Sequence, residues 1–266
     1  MKILFPTDLS ENAKNALDFA KKYAMLHDAS ITMLFAYYAV YDFAAQAEEI
    51  IAAIEEDANL ALREVINSNT DPVYIDYKIV QGTVATAINA TVLSGDFDLV
   101  IMGTQGASGI RKALIGSNTA TVIKESQVPV IAVPTGATFE SVKSVTVAVE
   151  LSEEDEKLLK KVTDLTENWD LPYKVLHISN KDDFNKELSF KGLQVHLRET
   201  FPDDEFEFVK VSSPEFDAGA EKYLKDQKDT MMVMLSKNKT FFEFLFNKSQ
   251  SVKFAYHTHV PLLVVK

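Results

Sequence analysis

The segment VPVIAV at 128–133 returns as VPLLVV at 260–265, and Pro129 and Pro261 stand 132 positions apart in a chain of 266 residues. At the same spacing the apolar run LVIM (99–102) falls on MMVM (231–234). At the front, VTVAV (145–149) with Glu150, Leu151 and Ser152 behind it mirrors ILFPT (3–7) with Asp8, Leu9 and Ser10 behind it. An internal repeat of this size means two copies of one domain, and the length gives each copy room for its own core. The expected division is 1–138 and 142–266, with PTGATFES (134–141) reading as the linker.

Within the first copy, apolar runs alternate with stretches of helical spacing. Strands are expected at 2–6, 31–37, 74–80, 98–102 and 129–133, with helices over 11–26, 43–67 and 84–93 and a helix-like segment from Ala120 to Ser126. Ser10 or Asp8 supplies the cap for the first helix. Glu48, Glu49, Glu55, Glu56 and Asp57 read as the solvated face of the second. Strands separated by helices in this way describe a parallel sheet covered on both faces, whose ligands bind beyond the carboxyl ends of the strands. Asp8 and Gly103 both fall at such ends, some 95 positions apart.

The stretch GTQGASGIRKALIGSNT (103–119) follows a strand buried on both faces. Gly103 and Gly106 lie three apart, and Gly116 precedes Ser117, Asn118, Thr119 and a helix. Glycine admits close approach and positive φ, and the N–H groups at a helix start attract anions, so the stretch offers a phosphate two places to bind. It lacks the Gly-Lys-Ser/Thr of a P-loop and the GxGxxG of a dinucleotide fold. The pattern G-x2-G-x9-G-Ser/Thr behind a Met-Gly strand end resembles the ATP-binding signature of the universal stress protein family.

That resemblance covers the whole chain, as two tandem domains. It implies a flavodoxin-like (adenine nucleotide alpha hydrolase-like) α/β fold for each, a five-stranded parallel sheet with helices on both faces. It implies that Pro6, Thr7 and Asp8 form the adenine-side turn, with Ala36 lining the base where the family commonly has a His-Val pair and this chain has Phe35-Ala36. Met102, Gly103, Gln105 and Gly106 would flank ribose and phosphates, and Gly116, Ser117, Asn118 and Thr119 the phosphate chain. Gln105 replaces a residue that is often His or Arg. The expected ligand is ATP, with Mg²⁺ as its companion ion, in a cytoplasmic stress-response or signalling protein. The alternative is a nucleotide-independent adapter on the same fold. The terminal strands PVIAV and PLLVV resemble the family's dimerisation edge, so pairing inside one chain is expected to give a pseudo-dimer, with a homodimer as a further arrangement.

In the second copy Gly103 becomes Leu235, Gly106 becomes Asn238 and Gly116 becomes Lys248, while Ser117 keeps Ser249 and Asp8 becomes Glu150. The aromatic cluster Phe241, Phe242, Phe244 and Phe246 stands in the old loop. This copy reads as one that has lost nucleotide binding.

Catalysis has little support in the residues. The chain has no cysteine, which excludes disulfides, thiolate metal sites and cysteine nucleophiles. No nucleophile elbow appears, and nothing identifies a residue to orient water on a triphosphate, so at most a slow ATPase is expected. His257 and His259, alternating on an expected strand, lack acidic or sulfur partners at metal-site spacing, so no metal ligands are assigned. A net charge of −12, about −7 before residue 139 and −5 after it, opposes nucleic acid and anionic membrane as partners. No apolar run approaches the length of a membrane span.

Overall fold

The computed structural model describes residues 1–38, 44–106, 115–179, 184–235 and 259–266. The chain is an α/β protein that forms two compact units, Met1–Phe139 and Glu140–Lys266. The expectations at Asn238, Lys248, Ser249, Phe241, Phe242, Phe244, Phe246 and His257 lie outside the described residues.

The first unit is built outward from β1 (Lys2–Pro6), whose Ile3, Leu4 and Phe5 are wholly buried. Each such side chain contributes about 1.5–3 kcal/mol relative to exposure. β1 pairs in parallel with β2 (Ser30–Tyr37) on one side and β4 (Leu99–Gly103) on the other, with Ile3 opposite both Ile31 and Leu99. β3 (Ile75–Gln81) adds outside β2 and β5 (Val130–Val133) outside β4, giving the order β3-β2-β1-β4-β5. The layering is that of the flavodoxin class, with one difference. Flavodoxin order is 2-1-3-4-5, whereas here β3 lies beyond β2 and the chain crosses back over β2 and β1 before laying down β4. Strand order therefore reverses between β1 and β4, and a crevice opens beyond their carboxyl ends.

Four helices make the crossovers: α1 (Glu11–Leu26), α2 (Ala44–Asn67), α3 (Val84–Gly95) and α4 (Ser117–Glu125). Right-handed crossovers place α1 and α2 on one face and α3 and α4, which pack together, on the other. α1 buries Ala13, Ala16, Leu17, Ala20, Tyr23 and Ala24 against the sheet, and Ser10 Oγ caps it by accepting from Ala13 N–H. Small side chains on that face let the helix lie close to β4. Glu48, Glu49, Glu55, Glu56 and Asp57 on α2 are exposed, and Glu55 also accepts from the Tyr37 hydroxyl at 2.6 Å.

The segment read as a linker is fastened to the first unit. Gly136 takes a left-handed φ of 81° in a turn closed by Ala137 N–H to Pro134 O. Asn15 Nδ2 donates to the carbonyls of Pro134 and Ala137, and Phe139 packs edge-on against Phe19 at 5.2 Å.

The second unit repeats the plan with β6 (Ser144–Val149), β7 (Tyr173–Ser179), β8 (Phe206–Ser212), β9 (Thr230–Leu235) and β10 (Leu262–Val265), in the parallel order β10-β9-β6-β7-β8. Its described helices are α5 (Glu154–Leu165), α6 (Phe184–Thr200) and α7 (Phe216–Leu224). The two registers agree residue for residue: Gly103 pairs with Val133, and Leu235 pairs with Val265. Leu9 and Leu151 both take left-handed φ, 61° and 63°, at the same strand-to-helix turn. A branched residue seldom sits there, so the shared conformation reports a turn inherited by both copies. Among the described residues no helix is long and apolar enough to cross a membrane.

Candidate functional site

A cleft of about 320 Å³ opens at the carboxyl ends of β1, β2 and β4. Its apolar part comes from strand ends and the N-terminal parts of two helices: Pro6, Leu34, Ala36 and Met102, with Val84 and Ile88 of α3 and Ala13 of α1. Its polar part is Thr7, Asp8, Gly103, Gln105 and Gly106, faced by Gly116, Ser117, Asn118 and Thr119. All twelve residues singled out in the sequence thus meet on one surface. Ala13, Leu34, Val84 and Ile88 were not anticipated. The cap at Thr83 is the one sequence signal that places Val84 in the opening turn of α3 at a strand end, where Thr83 Oγ1 accepts from Thr86 N–H.

The floor is held by local hydrogen bonds. Thr7 Oγ1 accepts from Leu9 N–H at 3.0 Å and Asp8 Oδ1 from Ser10 N–H at 3.1 Å, so both side chains order the turn that leads into α1. Such side-chain turns are what Asp and Thr supply after a strand.

The glycines serve space rather than φ. Among the described glycines, positive φ occurs at Gly82 and Gly136, while Gly116 has φ −63°. A Cβ on Gly106 would stand 2.7 Å from Asp8 Oδ2, one on Gly116 3.1 Å from the Thr104 carbonyl, and one on Gly103 3.4 Å from the Gln105 carbonyl. Of the two properties that glycine offers, close approach and positive φ, the described positions of this loop use the first.

The start of α4 is corrected. Ser117, Asn118 and Thr119 are its first turn, not a loop before it, and its N-cap is Gly116 with no capping side chain. α1 and α3 begin under Ser10 and Thr83, whose hydroxyls satisfy first-turn N–H groups. First-turn N–H groups have no partner within the helix, so a glycine-capped start on a cleft wall presents donors and the positive end of the helix dipole to whatever enters. Two bonds fix it in place. Gly116 N–H donates to Thr104 O at 2.6 Å, and Thr119 Oγ1 donates to Gly103 O at 2.9 Å. Thr104, 2% exposed, donates its own N–H to Val133 O, so the turn after β4 is tied to the end of β5. Sequence reasoning passed over Thr104, because a main-chain hub leaves no signature in residue type.

A model of the universal stress protein family matches residues 1–134. The chain belongs to the universal stress protein family. A family member from Thermus aquaticus is 31% identical over 133 residues, spanning 49% of this chain and 96% of its own length. Another, from Methanocaldococcus jannaschii, is 30% identical over 141 residues, 50% of this chain and 81% of its own. The crystal structure of a universal stress protein from Archaeoglobus fulgidus matches 100% of this chain and 96% of that one with TM-score 0.69 at 20% identity, a likeness of fold. The family model thus covers the first unit, and the likeness of fold extends over the whole chain.

Neither unit assembles metal chemistry among the described residues, where no group of three or more His, Asp or Glu could hold an ion. His259 precedes β10 rather than lying on a strand, and its Nε2 is bonded to the Gln227 carbonyl at 2.6 Å. His27 stacks on Tyr23 at 4.3 Å, and His196 lies 3.4 Å from Glu156.

His177 is different. It is buried on β7, with Nδ1 3.1 Å from the Val149 carbonyl and no partner at Nε2 among the described residues. Burial pushes its pKa below the ordinary 6.5, helped by Lys186 and Lys210 and opposed by the Val149 carbonyl and Asp155. The folded unit therefore binds a proton less tightly than the unfolded chain. Its contribution is fully present above about pH 6.5 and is lost as pH falls through that value toward the lower folded pKa. Asp155, whose carboxyl burial pushes upward from 3.8, acts in the opposite sense at more acid pH. Calorimetry at pH 7.5 and 5.5 is expected to show the second unit's unfolding midpoint falling with pH, and His177→Gln is expected to flatten that slope. An unchanged slope would remove His177 as its cause.

Proposed function

We propose that the first unit binds ATP in this cleft as a stress-response module whose nucleotide occupancy changes what it presents to partners. The observation that carries the reading is the glycine-capped start of α4, whose first turn lines the same cleft as the apolar side chains Ala36, Val84, Ile88 and Met102. The slot between Ala36, Val84, Ile88 and Met102 suits a flat purine, and Asp8 at its rim suits the amino edge of adenine. The start of α4, where Gly116 brings no side chain over the first-turn N–H groups, suits phosphate oxygens, which need donors at close range and no side chain in the way. Mg²⁺ bound with the triphosphate would offset part of its charge. Asp8 is the one charged side chain among the described lining residues. No described residue of the cleft is a histidine or lysine poised to activate water, which favours binding over turnover.

The second unit, in this reading, binds no nucleotide. Leu235 stands at the register position of Gly103, Glu150 at that of Asp8 and Ile178 at that of Ala36. The first and last of these put branched side chains where the first unit has bare or nearly bare backbone. Domains 1–138 and 142–266 would accordingly divide the work, one holding the ligand and the other serving as a structural relative. The terminal segments PVIAV and PLLVV stay, on the sequence resemblance alone, a proposal for pairing inside one chain.

Mass spectrometry of the purified protein is expected to find co-purifying adenine nucleotide, and calorimetry with ATP one site per chain. Two equal sites would overturn the division between the units, and no binding at all would overturn the reading.

A further inference from the structure

Thr119 lines the cleft, yet its hydroxyl bonds to the protein's own main chain. The residue is 3% exposed and its hydroxyl is committed to the Gly103 carbonyl at 2.9 Å. That bond joins the third residue of α4 to the last residue of β4. A second bond, Gly116 N–H to Thr104 O at 2.6 Å, joins the cap of the same helix to the next residue of the chain. Together they brace the opening turn of α4 against the strand end at two adjacent points. α4 is nine residues long, too short to hold its position by its own helicity.

We infer that Thr119 is a positioning residue whose hydroxyl, by holding the α4 start against Gly103, lets the cleft tell a nucleotide from a bare nucleoside. The inference rests on the reading of the cleft as an adenine nucleotide site. Its physical content is pre-organisation. The open N–H groups of the first turn help an anion only if they already point at it, and reorienting a helix end on binding would cancel the gain. Of the slot residues, Ala36, Val84 and Ile88 belong to other elements, and Met102 is held within β4 by its pairing with Ala132 of β5, so the base should not sense the brace.

The test compares Thr119→Val and Thr119→Ser with the parent protein by calorimetry, using ATP, ADP and adenosine as titrants. Valine keeps the shape and removes the donor; serine keeps the donor. Thr119→Val is expected to weaken ATP and ADP about tenfold, the worth of one well-placed hydrogen bond, while adenosine binds as before. Thr119→Ser is expected to restore most of the loss. Unchanged adenosine binding doubles as the check that the variant is folded. Equal weakening of all three ligands, an unaffected valine variant, or a serine variant as weak as valine would each overturn the inference. A parent protein that binds adenosine and ATP equally would overturn it while leaving the adenine site standing. A parent that binds none of the three would overturn the site as well.

Discussion

Gly116→Val is expected to abolish ATP binding, at least a hundredfold loss or about 2.7 kcal/mol, while leaving thermal unfolding cooperative. The first atom of any side chain at this position would stand 3.1 Å from the Thr104 carbonyl, which is main chain and cannot swing aside. The new group would strain the 2.6 Å bond that Gly116 N–H makes with that carbonyl and push the cap of α4 off the end of β4. Two further carbons would then project where phosphate oxygens need to approach the first-turn N–H groups. Stability suffers far less. Valine is a poor N-cap, a penalty of about 1 kcal/mol, but α4 still buries Val122 and Ile123. The paired measurement is titration with ATP and a thermal melt of the same sample. Binding that survives with the melt unchanged would mean that the helix start does not hold the phosphates.

Much of this was legible in the sequence, for reasons that differ from element to element. β1, β4 and β5 are buried on both faces, and unbroken runs such as LVIM announce that burial directly. The turn after β1 was readable because Thr7, Asp8 and Ser10 have side chains that bond to main chain nearby. The start of α4 was displaced by three residues because Ser117, Asn118 and Thr119 favour turns by composition, and the cap itself is a glycine with no side chain to signal it. The strand order could not be read, since nothing local to β3 decides on which side of β2 it pairs. The fastening of 134–139 to α1 was hidden for a similar reason: Asn12 and Asn15 are ordinary helix-surface residues until Thr135, Pro134 and Ala137 are brought beside them.

The sharpest difference between the copies was equally invisible, because it is a compensating pair spread over two elements. In the first unit Ala36 near the end of β2 faces the cleft, and Ala87 is buried four residues past the Thr83 cap of α3. In the second unit the register of β6 with β7 puts Ile178 at the place of Ala36, and Gly219 stands four residues past the Glu215 cap of α7. Volume has moved from the helix to the strand. A Cβ on Gly219 would lie 2.4 Å from Ile178 Cγ2 and 3.0 Å from Ser213 Cβ, so isoleucine already occupies that room. Gly219→Ala is therefore expected to destabilise the second unit by about 1–3 kcal/mol through overpacking, despite alanine's better helix propensity. Ile178→Ala alone should also cost stability, by leaving a void. The double variant, which puts alanine at both positions as in the first unit, should be more stable than the sum of the two changes by at least about 1 kcal/mol. Urea unfolding of the four proteins measures this coupling, and simple additivity would show that the contact does not govern packing there. A coupling of the expected sign would mean that the second unit closed its slot by exchanging a small residue for a branched one on the strand and yielding a methyl group on the helix. On that route the fold survives and the room for a base does not.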